Sequence, residues 1–220
     1  MADIIRVVIV EDEDLFRDLL ASSLAGFSKI SVVNAYRAGD EALRHFSDDA
    51  PDAVLLDINL GAGDTGVHIG LKMRRMDSDI GIVLLSNYDQ PGVLKAITQS
   101  QAQGWAYLLK KSVANASVIV RAVEGVRAGL MILDPHLVHA FQPTPAGLVA
   151  KLTPRQREVL GLMAQGYSNA GIAEQLVLQP KSIENTISQI YQGLGIDALQ
   201  GSIHARVKAA LIFLNECTPG

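Results

Sequence analysis

Short apolar runs alternate with amphipathic segments through the first 130 residues of the chain. The run 4–10 is apolar and β-branched, the pattern of a strand buried on both faces. Behind it, 14–26 carries Leu15, Leu19, Leu20 and Leu24 at helical spacing. Further strands are predicted at 31–35, 53–56, 81–85 and 106–109. Helices are predicted at 39–47 with Leu43 and Phe46 inward, at 66–75, at 90–103 with Pro91 in its first turn, and at 115–129 with Val118, Ala122 and Val126 on one face. Five β-α units in succession predict an α/β domain with a doubly wound, five-stranded parallel sheet, helices on both sides.

The pattern breaks at 131–150, where Pro135, Pro143, Pro145 and Gly147 fall. This stretch reads as a linker with a short helix near 135–141. From Lys151 onward the periodicity is helical throughout. Thr153-Pro154-Arg155-Gln156 spells a capping box with proline at the first helical position, and Gly166 ends that helix. Ser168 caps a second helix, and Pro180 opens a third with Ile183, Ile187, Ile190 and Leu194 as its apolar stripe. A last helix near 201–214 places Ile203, Val207 and Leu211 on one side, with Leu214 extending the stripe. The predicted plan is a domain at 1–130, a linker at 131–150 and a small all-α domain at 151–220.

Charge sharpens the division. Residues 1–150 hold 13 Lys+Arg against 18 Asp+Glu, net −5, and residues 151–220 hold 6 against 5, net +1. A faintly basic second half limits what counterion release alone contributes to nucleic-acid binding. Cys217 is the only cysteine, which excludes an internal disulfide and a cysteine-rich zinc site. Among the five histidines only His136 and His139 are closely spaced, and both fall in the linker. No apolar stretch reaches the roughly 18 residues of a membrane span, and no signal-peptide pattern follows Met1. A cytoplasmic protein without membrane contact is the expectation.

In an open parallel sheet, ligands bind beyond the carboxyl ends of the strands, near the point where strand order reverses. Glu11 and Asp12 follow the first strand, Asp57 the third, Ser86 the fourth and Lys110 the fifth, so all five converge on one rim. Three carboxylates held together call for a cation, and oxygen ligands favour Mg²⁺, which also binds phosphoryl oxygens. A carboxylate attacking phosphorus gives an aspartyl-phosphate. A metal and one lysine neutralise the transferring group, and the Ser86 hydroxyl is a donor for a phosphoryl oxygen.

With Val54-Leu55-Leu56-Asp57, Leu84-Leu85-Ser86 and Tyr107-Leu108-Leu109-Lys110 at these spacings, residues 3–130 resemble the receiver domain of two-component systems. The resemblance implies that Asp57 accepts phosphate from a sensor histidine kinase. It implies too that Glu11, Asp12, Asp57 and the backbone carbonyl of Asn59 hold Mg²⁺, and that Ser86 and Tyr107 move together as a switch. Gly61 stands where receivers usually carry proline, Lys111 where many have proline, and the 61–66 loop is about one residue longer than usual.

That loop also spells G-x-G-x-x-G between strand and helix. The dinucleotide fingerprint needs glycine directly after the strand, but Asp57-Ile58-Asn59-Leu60 intervenes and no ribose-binding acid ends the next strand. A dehalogenase-type phosphotransferase needs a second aspartate two residues after the first, where Asn59 stands. Neither enzyme class fits, and no enzyme is expected.

Residues 151–215 resemble the LuxR-type helix-turn-helix of NarL/FixJ-class regulators, through Leu152-Thr153-Pro154-Arg155-Gln156-Arg157-Glu158-Val159-Leu160, Gly166-Tyr167-Ser168-Asn169, Ile172-Ala173 and Lys181-Ser182-Ile183-Glu184-Asn185. The resemblance implies a two-component response regulator whose phosphorylation controls binding to double-stranded DNA and transcription. On the third helix Lys181, Glu184, Asn185, Ser188 and Gln189 lie off the apolar stripe, facing DNA. Arg155, Arg157 and Lys208 are candidates for phosphate contacts. The 179–193 segment is net zero and Gln179 replaces the usual Ser or Thr cap. A homodimer on phosphorylation is therefore expected, with a protein-interaction module as the alternative role for this domain.

Overall fold

The computed structural model describes residues 4–61, 64–88, 102–197 and 202–219. They divide into two compact units, 1–129 and 130–220.

The first unit is built on β1 (Ile5–Val10), β2 (Ile30–Tyr36), β3 (Ala53–Asp57), β4 (Gly81–Ser86) and β5 (Trp105–Leu109). β3, β4 and β5 are buried at every position, as apolar runs covered on both faces must be. The pairings among these five strands are parallel. The sheet order is β2-β1-β3-β4-β5-β6, where β6 is the two-residue strand Ile132–Leu133. The sheet therefore has six strands, against five expected. A dipeptide inside a proline-bounded break carries no readable periodicity; pairing at the sheet edge defines it.

Helices α1 (Asp14–Ala25), α2 (Gly39–Asp49), α3 (Gly66–Met76) and α4 (Ala116–Arg127) pack around this sheet, α1 touching α4 and α2 touching α3. Val118, Ala122 and Val126 are buried as the spacing predicted. On α1 only part of the leucine stripe is covered: Leu20 and Leu24 are buried, whereas Leu15 is 85% and Leu19 51% exposed. The stripe was wider than the face the sheet covers. The helix predicted at 90–103 lies outside the described residues except at its last positions.

The second unit starts with α5 (Pro135–Ala140), β7 (Phe141–Pro143) and α6 (Leu148–Lys151). Then come α7 (Pro154–Ala164), α8 (Asn169–Gln175), α9 (Pro180–Gly193) and α10 (Ser202–Glu216), ending in β8 (Cys217–Pro219). Thr153 and Gln156 form the reciprocal capping box. β7 pairs antiparallel with β8, joining residues that lie more than seventy positions apart. The 131–150 segment, expected as a linker with one short helix, thus carries β6, two helices and a second strand paired to the end of the unit.

Candidate functional site

β1 is flanked by β2 and β3, so the strand order reverses between β1 and β3, where a crevice opens. Glu11 leaves β1 there and Asp57 ends β3. Oxygen atoms of Glu11, Asp12 and Asp57 all lie within 4.8 Å of one another. Glu11 is fully buried and Asp57 is 2% exposed, while Asp12 is half-buried. Lys110, just beyond β5, reaches across the crevice. Its Nζ donates to Asp57 Oδ2 and to Glu11, each at 2.9 Å, and stands 4.7 Å from the Phe16 ring centroid. The Asp57 Oδ1 accepts the Asn59 N–H at 3.1 Å.

Burial pushes the Glu11 carboxyl up to about 7; the hydrogen bond from Lys110 opposes this and the Asp57 charge adds to it. Burial alone would lower the Lys110 ammonium, but its bonds to Glu11 and Asp57 outweigh that and hold it above its ordinary value. Two buried carboxylates against one lysine leave the pocket short of positive charge, and Glu11 Oε2 has only the Lys110 ammonium beside it, at 2.9 Å. An oxygen-liganded divalent cation fits this donor set.

Ser86 and Tyr107 share one acceptor. The Ser86 hydroxyl donates to the Tyr88 carbonyl at 2.6 Å and accepts the Tyr88 N–H at 3.2 Å. The Tyr107 hydroxyl donates to the same carbonyl at 2.8 Å, and both side chains are buried. Their common partner is a backbone group, which no side-chain pattern announces.

Two glycines explain departures in the 61–66 loop. Gly61 takes φ +69°, which the usual proline cannot adopt. A Cβ on Gly66 would lie 2.1 Å from the Asp57 carbonyl oxygen, so α3 starts directly against the end of β3. The last glycine of the apparent dinucleotide fingerprint serves close packing behind Asp57. Its position after the strand-end aspartate was the available signal.

In the second unit, Lys181, Glu184, Asn185, Ser188 and Gln189 are all exposed on α9, opposite buried Ile183, Ile187 and Ile190. Lys181 is not a free cation: its Nζ pairs with Glu184 at 2.9 Å. Gln156 Nε2 donates to Gln189 Oε1 at 3.3 Å, and the Ser188 hydroxyl to the Glu184 carbonyl at 3.0 Å. Arg155 pairs with Glu158 at 2.6 Å. Arg157 donates to the carbonyls of Ala150 and Leu152, which turns it inward from the phosphate-contact role expected of it. Gln179 gives no side-chain cap, as its chemistry implied.

A strand-end acidic pocket with its lysine, followed by a capped helix-turn-helix, defines a phosphoacceptor-type receiver fold joined to a DNA-binding-type domain. The chain belongs to the response regulator family: the response regulator receiver domain matches residues 7–124, and the luxR family of bacterial regulatory proteins matches 150–205. It is a two-component response regulator that controls transcription. It is 27% identical to the probable transcriptional regulatory protein NarL of Mycobacterium tuberculosis, over 94% of this chain and 96% of that one. It is 28% identical to the transcriptional regulatory protein DegU of Brevibacillus brevis, over 88% and 89%. In fold it is similar to RcsB of Salmonella typhimurium, at TM-score 0.51 and 17% identity over 90% and 94% of the two chains. A structure of two RcsB dimers bound to two parallel DNAs matches at TM-score 0.54 and 18% identity, over 97% and 99%. Among the described residues no helix is long and apolar enough to cross a membrane.

Proposed function

We propose that Asp57 is the phosphoacceptor of this regulator and that the charge state of the 11–12–57–110 pocket sets the conformation of the chain. The observation that carries this reading is Asp57, buried at a strand end, with Lys110 at 2.9 Å and two further acidic side chains in reach. An Asp57 carboxylate oxygen attacks the phosphorus of a kinase phosphohistidine, the P–O bond forming as the P–N bond breaks, and the imidazole leaves. Glu11, Asp12, Asp57 and the Asn59 carbonyl are the residues that would hold Mg²⁺, which when bound supplies positive charge to the phosphoryl oxygens. Lys110 shifts from the Asp57 carboxylate onto a phosphoryl oxygen. Ser86 turns its hydroxyl to another, releasing the Tyr88 carbonyl to Tyr107 alone.

In this reading 1–130 is the receiver and 151–220 the DNA-binding domain, and the protein is a cytoplasmic switch and not an enzyme. Lys181, Glu184, Asn185, Ser188 and Gln189 face the major groove. The named dimer–DNA complex of RcsB supports two copies on DNA. The test is intact mass after treatment with acetyl phosphate and Mg²⁺. Wild type should gain one phosphoryl group, and Asp57→Ala and a chelated sample none. A phosphorylated Asp57→Ala protein refutes the assignment.

A further inference from the structure

The second unit carries an open cleft of about 420 Å³, which lies within the range of small-molecule sites. Its walls come from several elements, α6 with Val149 and α10 with Phe213 among them. α5 and the β7–β8 pair supply Val138, Pro143 and Cys217; α7 supplies Arg157 and Leu162; the end of α8 supplies Leu176. The walls mix apolar side chains with polar ones, Gln142, Gln165 and Gln175 among them, and Arg157 is the one Lys or Arg that lines them.

Arg157 has an unusual balance. Its Nη1 donates to the Ala150 and Leu152 carbonyls, at 3.2 and 2.7 Å. Among the described residues no carboxylate lies within ion-pair distance of it, although Glu158 lines the same cavity. Glu158 is committed to Arg155 at 2.6 Å, so it does not neutralise Arg157. Arg157 and Cys217 both line the cavity. A partly buried guanidinium with two carbonyl acceptors and no counter-ion favours an anionic guest, since planar N–H groups match carboxylate oxygens.

We propose that this cavity is a binding site for a small amphipathic organic anion, its carboxylate on Arg157 and its apolar body against Val138, Leu162 and Leu176. Such a guest touches the β7–β8 pair and both helices that precede the recognition helix. Its binding therefore stabilises the folded state of the DNA-binding unit in proportion to its occupancy.

Octanoate serves as the probe, with the uncharged octanol as its control, titrated into the full-length ¹⁵N-labelled protein. Saturable amide shifts confined to 138–143, 157–165, 176 and 213–217 are expected, with octanoate binding about tenfold tighter than octanol, the scale of one charge-assisted contact. Arg157→Met should remove that preference, and Leu162→Trp should abolish binding by filling the space while leaving Arg157 in place. No saturable shift, shifts scattered over the surface, or octanol matching octanoate on the wild-type protein overturns the proposal. Because that last comparison needs no variant, it holds even where Arg157→Met fails to fold.

Discussion

Burial raises the Glu11 carboxyl well above the ordinary carboxylate range, the hydrogen bond from Lys110 opposes the rise and the Asp57 charge beside it adds to it. A folded pKa raised from 4.5 to about 7 means that the folded chain keeps a proton the unfolded chain has lost. The contribution of Glu11 to stability is then full below 4.5 and disappears as pH rises through about 7. Urea midpoints should fall across this window in wild type, and Glu11→Gln should flatten the fall. Equal slopes in the two proteins would contradict the burial argument. A second residue-scale prediction concerns Val177, which takes φ +51° in the turn before α9 while 90% exposed. A β-branched residue there is strained by roughly 1–2 kcal/mol. Val177→Asn, which tolerates this conformation, should raise stability by about 1 kcal/mol. Thermal unfolding reads the shift directly, and a destabilised variant would show that Val177 makes contacts worth more than its strain.

At the scale of elements, caps decide how sharply a helix begins. Thr153 and Ser168 each accept a backbone N–H three positions on, and Thr65 does the same at α3. Gln179 does not, leaving α9 without a side-chain cap at its start. Gln179→Ser should stabilise the second unit by about 1 kcal/mol, measured by urea unfolding of the full chain; an unchanged midpoint would mean the α9 terminus is already satisfied. These boundaries were legible because a Ser or Thr followed by a periodic stripe is local chemistry. The strand-end residues 11, 57, 86 and 110 were legible for a similar reason: each closes an apolar run, and parallel topology forces the runs to end on one rim. What local pattern did not carry was pairing over distance. β6 has two residues and β7 and β8 three each, too few for any period, and their partners lie far away in sequence. Nor does helical spacing say how wide a face will be covered, which is why Leu15 and Leu19 stand exposed on α1.

For the whole molecule, the question is how a chain of net charge −4 holds DNA. On α9 the Lys181 ammonium is spent on Glu184 at 2.9 Å, so the recognition helix brings almost no unpaired positive charge to the phosphates. Counterion release per copy is then small, and two copies on two half-sites would recover affinity. The apolar stripe of the final helix is largely covered. Val207 and Phe213 are buried in its own unit and Leu211 and Leu214 are half-buried, so a dimer must draw on other surface. Sedimentation with and without phosphodonor should show a dimer only in the phosphorylated sample, and footprinting should show two protected half-sites about one DNA turn apart or a multiple of it. Glu184→Ala, which frees Lys181, should steepen the dependence of log K on log salt by about one per copy and tighten binding at low salt. A phosphorylated protein that stays monomeric and saturates a single half-site would refute the dimer. An unchanged salt slope in Glu184→Ala would show that Lys181 does not approach the phosphates, and that α9 meets DNA through Asn185 and Gln189 alone.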